Sequence, residues 1–122
     1  MSEVGVDREE FIVNRALDEQ RGSQRRAYAA LGRLLEQAVT DGLPAISWTI
    51  TDGCSGPTLV GECIAVDPVQ RQDDFEVWRR AISAEAWPGG LRRGEGVHFH
   101  ASVADEEGVS ISITAEILAE EV

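Results

Sequence analysis

The residues best equipped for chemistry in this sequence are its only two histidines, His98 and His100, in the stretch GVHFHASV. Two positions apart on a strand, they would point to the same face about 6.5–7 Å from one another. Two metal-bound imidazoles can use that spacing. If the strand pairs with the one after it so that Val103 meets Val109, His98 falls opposite Thr114 and His100 opposite Ser112, with Glu116 diagonally near. Glu116 or Cys63 could then supply a third ligand. With no further histidine and no acidic pair at a fixed helical spacing, the plainer reading is a polar sheet face, and a metal-dependent enzyme using His98 and His100 is an alternative.

Nucleophilic catalysis requires Ser or Cys held against a base and an orienting acid. Cys54 lies in a glycine-rich turn, GCSG, where a thiol would be exposed, but no spacing brings His98 or His100 to it. GCSG and GPTLVG cannot serve as a phosphate loop, which requires a lysine, because the chain has none. Cys54 and Cys63 flank what reads as a turn and its departing strand, and a zinc site would want two closer ligands. No catalytic residue, bound metal or cofactor is expected.

The three tryptophans separate by position. Trp48 on a strand and Trp78 on a helix both fall on inward faces and read as core, each contributing about 2–3 kcal/mol by burial. Trp87, in AWPGG, belongs to a loop and is either tucked under a sheet edge or presented as an anchor for a partner.

The elements that must position these residues follow from periodicity. DREEFIVNRALDEQ places Phe11, Ile12 and Ala16 near helical spacing behind a possible cap at Asp7, a thin stripe interrupted by Gly22. Residues 1–22 therefore read as a weak helix or flexible segment. In QRRAYAALGRLLEQAVTDG, Ala27, Tyr28, Leu31, Leu34, Leu35 and Ala38 recur at three and four, and Gly42 then Pro44 close the helix. Ile46, Trp48 and Ile50 alternate with Ser47, Thr49 and Thr51, the period of a strand with one buried face. A turn at 53–57 leads to a second strand over 58–66, in which Gly61 marks a bulge or a close packing contact. Asp67-Pro68 starts a helix to about Ala84 with Phe75, Trp78 and Ile82 on one side. EAWPGGLRRGEG reads as loop. Two alternating strands follow, Val97/Phe99/Ala101/Val103 and Val109/Ile111/Ile113/Ala115/Ile117, joined by a short acidic turn.

The sum is an α+β domain over residues 23–122: an α-β-β-α-β-β two-layer sandwich, its four-stranded antiparallel sheet covered on one face by helices. Its uncovered face would carry Ser47, Thr49, Thr51, His98, His100, Ser102, Ser110, Ser112, Thr114 and Glu116.

Charge narrows the partners. Twenty-two acidic residues against eleven arginines give −11, a field that disfavours direct binding to nucleic acid. No arginine falls within 42–70 or 96–122. No apolar run approaches the roughly 20 residues of a spanning helix, so no membrane association is expected. MSEVGVDREEF is polar and acidic where a signal peptide is basic and then apolar, so the expected location is cytoplasmic.

In LPAISW, LVGEC, FEVWRRAI and GVSISITAEI the chain resembles small uncharacterised actinobacterial proteins of about its length, over roughly residues 25–117. The matching positions are of core type, so the resemblance implies a shared fold and no activity. Size, acidity and the alternation of helices and hairpins also look like the architecture of secretion chaperones, which dimerise and hold an extended partner segment. The expected function is a non-enzymatic, homodimeric protein-interaction module, a regulator or chaperone-like adaptor. It would bind a protein partner through its sheet face or a strand edge with Trp87, His98, His100 and Glu116. A DNA-mimic inhibitor, built on the acidic turn and tail, is the further alternative.

Overall fold

The computed structural model describes residues 8–53, 56–86, 91–93, 96–105 and 107–121. The expected cap Asp7, the exposed turn thiol Cys54 and the loop anchor Trp87 lie outside the described residues. In chain order the elements are helix α1 (Arg8–Asp41), strands β1 (Ser47–Gly53) and β2 (Gly56–Glu62), and helix α2 (Pro68–Ala81). Strands β3 (Glu85–Ala86), β4 (Leu91–Arg93), β5 (Gly96–Ala104) and β6 (Ser110–Ile117) follow, then a short 3₁₀ turn at Ala119–Glu121.

The chain is α+β. Gly22 does not interrupt α1, which is one helix of 34 residues. A mid-helix glycine costs only about 1 kcal/mol, and the flanking arginines, glutamines and alanines are good helix formers. At its other end α1 stops at Gly42, whose positive φ lets Leu43 N–H donate to Ala38 O at 2.9 Å, a left-handed closure of the kind glycine supplies. Asp67 caps α2 by accepting from Val69 N–H, and Pro68 occupies the first turn.

The sheet order is β1-β2-β6-β5-β3, with β4 also on β5. Two features correct the sequence reading. The sheet is mixed, because β2 runs parallel to β6, pairing Leu59 with Ile111 and Gly61 with Ile113. Parallel neighbours need a crossover, and here the chain between β2 and β6 contains α2 and the strand β5. Alternation within each strand cannot report which neighbour, or which direction, a strand selects. The segment read as a loop contributes β3 and β4, of two and three residues, too short to show a period.

Directly paired residues share a face of the sheet. On one face stand Trp48 and Ile50 (β1), Leu59 and Gly61 (β2), Ile111, Ile113 and Ala115 (β6), and Phe99, Ala101 and Val103 (β5). Their buried members form one cluster with Ala27, Ala30 and Leu34 of α1 and with Phe75 and Trp78 of α2. Trp78 is 1% exposed, meets Trp48 edge-on with ring centroids 5.3 Å apart, and donates its indole N–H to Pro44 O at 2.7 Å. The indole thus ties α2 to the turn between α1 and β1 with no polar group left unpaired at its ring.

Gly61 marks close packing and not a bulge. A Cβ there would lie 2.7 Å from Ile46 Cδ1 and 2.9 Å from Trp48 Cζ3, while the β1·β2 register runs one to one past it. Replacing Gly61 with Ala should therefore overpack the core and destabilise the protein by about 1–3 kcal/mol. Urea unfolding followed by tryptophan fluorescence measures the loss; an unchanged midpoint would show that Ile46 and Trp48 have room to yield.

Candidate functional site

The opposite face of the sheet is set by the same pairings. Across four strands one row reads Ser47, Glu62, Thr114, His100, the next Thr49, Val60, Ser112, Ser102, and the third Thr51, Thr58, Ser110, Ala104. His98 and Glu116 pair at the β5·β6 end of this face. Apart from Val60 and Ala104 the rows are hydroxyl, imidazole and carboxylate side chains, and β1, β2, β5 and β6 hold no arginine. Ser112, at the centre, is buried by its neighbours.

The β5–β6 register is two residues from the one expected: Val103 pairs with Ile111, so His98 meets Glu116 directly and His100 meets Thr114. The acidic turn decides this. Asp105 Oδ1 accepts from the backbone N–H groups of Glu107 at 2.9 Å and Val109 at 2.8 Å, and Asp105 N–H donates to Val109 O at 2.9 Å. Gly108, at φ +80°, supplies the left-handed step. Because the slip is even, every side chain keeps its face.

His98 Nδ1 and Glu116 Oε1 lie 2.7 Å apart. With the carboxylate accepting, Nδ1 is the protonated nitrogen. The His98 side chain is 14% exposed and that of Glu116 41%. The rings of His98 and His100 stack with centroids 6.1 Å apart and planes 30° from parallel. Burial, and secondarily the positive charge that His98 can carry, hold His100 below its ordinary value of 6.5.

Arg71 is the site residue that sequence reasoning missed. From α2 its guanidinium donates to Ala65 O at 2.9 Å, Val66 O at 3.1 Å and Glu116 O at 2.8 Å, and it forms a two-pronged pair with the Glu121 carboxylate at 2.8 and 3.1 Å. This clamp fastens the end of β6, where Glu116 sits, to the chain leaving β2. The pairing holds the Glu121 carboxyl below the usual range. In sequence Arg71 is one more arginine on an amphipathic helix, and a contact 50 residues away leaves no local signal.

Cys54, the candidate nucleophile, lies outside the described residues, and Cys63 is the alternative third metal ligand. Cys63 is a buried free thiol pushed up to about 12 by burial and by the nearby charges of Asp74 and Glu62, so at neutral pH it is not the reactive thiolate. Among the described residues no three His, Cys, Asp or Glu side chains are placed to share a metal ion. The acidic surface that a DNA mimic would present is partly engaged inside the molecule: Glu121 pairs with Arg71, Glu76 with Arg79, and Asp105 with Arg33 at 3.0 Å. No helix among the described residues is long and apolar enough to cross a membrane. Comparison with protein-family models, curated proteins and solved structures finds no match to the chain.

The depressed His100 value has a measurable sign. Because the unfolded chain takes up the proton first as pH falls, the neutral imidazole's contribution is whole above about pH 6.5 and is lost progressively below it. Wild type should therefore lose more stability than His100→Gln between about pH 7.5 and 5.5 in urea melts. Equal losses would show that His100 titrates as it does in the unfolded chain.

Proposed function

We propose that this chain is a non-enzymatic protein-interaction module, an adaptor or chaperone-like regulator that works as a homodimer and offers the uncovered sheet face to a protein partner. The observation that supports the reading is the patch of His98, Glu116 and His100: an imidazole–carboxylate pair and a stacked second imidazole on a hydroxyl-rich surface opposite the helices. Such a face supplies donors and acceptors at strand spacing with little side-chain entropy to lose, since Ser, Thr and His have few rotamers. The absence of arginine from these strands suits a partner whose contact surface is neutral or basic.

The test is affinity capture with wild type and with the joint variant His98→Ala, His100→Ala, Glu116→Ala, its fold checked by circular dichroism. A stoichiometric partner of the wild type should bind the variant at least about tenfold more weakly, a loss of about 1.4 kcal/mol. Full affinity in the variant would remove the sheet face from the interaction. Sedimentation equilibrium tests the dimer directly, as a species of twice 13.3 kDa against a single copy.

A further inference from the structure

The side of α1 that turns toward β1 carries residues that no other element covers. Tyr28 is 73% exposed and Leu17 41%, and Ile50 of β1 is half-buried. Between helix and strand runs a groove of about 520 Å³ lined by Arg21, Gln24, Arg25, Tyr28 and Ile50. It continues toward the end of β1 as a hollow of about 350 Å³ reaching Leu17, Gln20 and Asp52. Arg21 and Gln24 line both, so the two form one trough along the strand.

That strand is an open edge. β1 ends the sheet order among the described residues, so one side of its backbone has no strand partner there. The other end of the sheet is finished by the very short β3 and β4, whereas β1 is seven residues long, lacks Pro and Lys, and pairs with β2 without a bulge. Short strands, prolines, bulges and charged side chains protect an edge from a further strand; β1 has no proline and no bulge, and its one charged residue, Asp52, stands next to its end.

Charge and spacing select the occupant. In a chain of net charge −11 this trough sets two guanidiniums against one lining carboxylate, Asp52: among the described residues Arg25 makes no ion pair, and Arg21 pairs with Asp18 alone, at 3.2 Å across an open surface. Arg21 and Arg25 stand one helical turn apart, about 6 Å along the axis, and alternate side chains of an extended chain are about 6.5–7 Å apart. We propose that the trough is a strand-addition site for an extended acidic segment of another protein. Its backbone pairs with the outer edge of β1, carboxylates on alternate residues meet Arg21 and Arg25, and an apolar side chain two positions before or after them, on the same face of the added strand, packs on Tyr28 and Ile50. A second copy matches less well, because its own β1 would present a single acid, Asp52, to two arginines and would bring a further −11 with it. This surface is separate from the sheet face and does not depend on that face binding anything.

Selection of a random dodecapeptide phage library on the full chain tests the proposal. The recovered peptides should carry Asp or Glu at two alternate positions and an apolar residue two positions before or after them. Synthetic versions should bind about tenfold more weakly to the joint variant Arg21→Glu, Arg25→Glu, since each exposed pair is worth up to about 1 kcal/mol. They should bind with undiminished affinity to the His98, His100, Glu116 alanine variant, and should slow amide exchange in β1. Recovery of no peptides, peptides without acidic bias, indifference to the arginine reversals, or protection on the His98 face instead of β1 would overturn it. So would a concentration-dependent dimer whose β1 amides are protected without peptide, which would make a second copy the occupant.

Discussion

Parallel pairing of residues 58–62 with 110–114 is the constraint on which the remaining structure depends. It joins two antiparallel units, β1·β2 and β5·β6, which could otherwise meet along other edges, and it brings Leu59 and Gly61 onto the same face as Ile111 and Ile113. That alignment makes one apolar surface wide enough for both α1 and α2. Cys63 N–H donates to Thr114 O at 2.9 Å, carrying the ladder one residue past β2, and Arg71 then gathers the ends of both strands in one guanidinium. Shifting the register by one residue would turn every alternating side chain of one unit to the wrong face, burying Ser112 and Thr114 under the helices and exposing Ile111 and Ile113.

The same pairing distributes function. With β6 and β2 in the middle, β1 is left at one end with no strand on its outer side among the described residues, and the polar rows of all four long strands become continuous. The helices supply the cations that those strands lack. Arg33 reaches Asp105 from α1, bracing the turn that sets the β5·β6 register, and Arg71 holds the far end of that hairpin from α2. On the four long strands the uncovered face is left with hydroxyls, imidazoles and carboxylates, Val60 and Ala104 apart, while Arg21 and Arg25 stay with the helix beside β1. The two surfaces differ in chemistry because arginines are confined to the helices and the short strand β4.

Much of this was legible in the chain. Ile46, Trp48 and Ile50 alternate against hydroxyl residues, and the β5 and β6 patterns do the same, so the composition of each face could be read without coordinates; Asp67-Pro68 and Gly42 marked helix ends. What could not be read depends on contacts distant in sequence. The parallel direction of β2 against β6 is a choice among strands with similar patterns. The Asp105 carboxylate bonds that move the register by two leave parity untouched and so leave no trace in alternation. β3 and β4 are strands only because β5 offers its edge. On the uncovered face, alternation puts His98, His100 and Glu116 on one side of the sheet, but the direct bond of Glu116 to His98 and the Arg71 clamp emerge only in the folded chain.

The most direct test is solution NMR of uniformly labelled protein, reading cross-strand contacts between residues 58–62 and 110–114. A parallel ladder predicts amide-to-α-proton contacts in the staggered parallel pattern linking Leu59 with Ile111 and Gly61 with Ile113, without close α-proton pairs between these strands. Short α-proton to α-proton contacts between β2 and β6, or contacts joining β2 to β5 instead, would contradict the sheet order, and with it the continuous polar face and the free edge of β1.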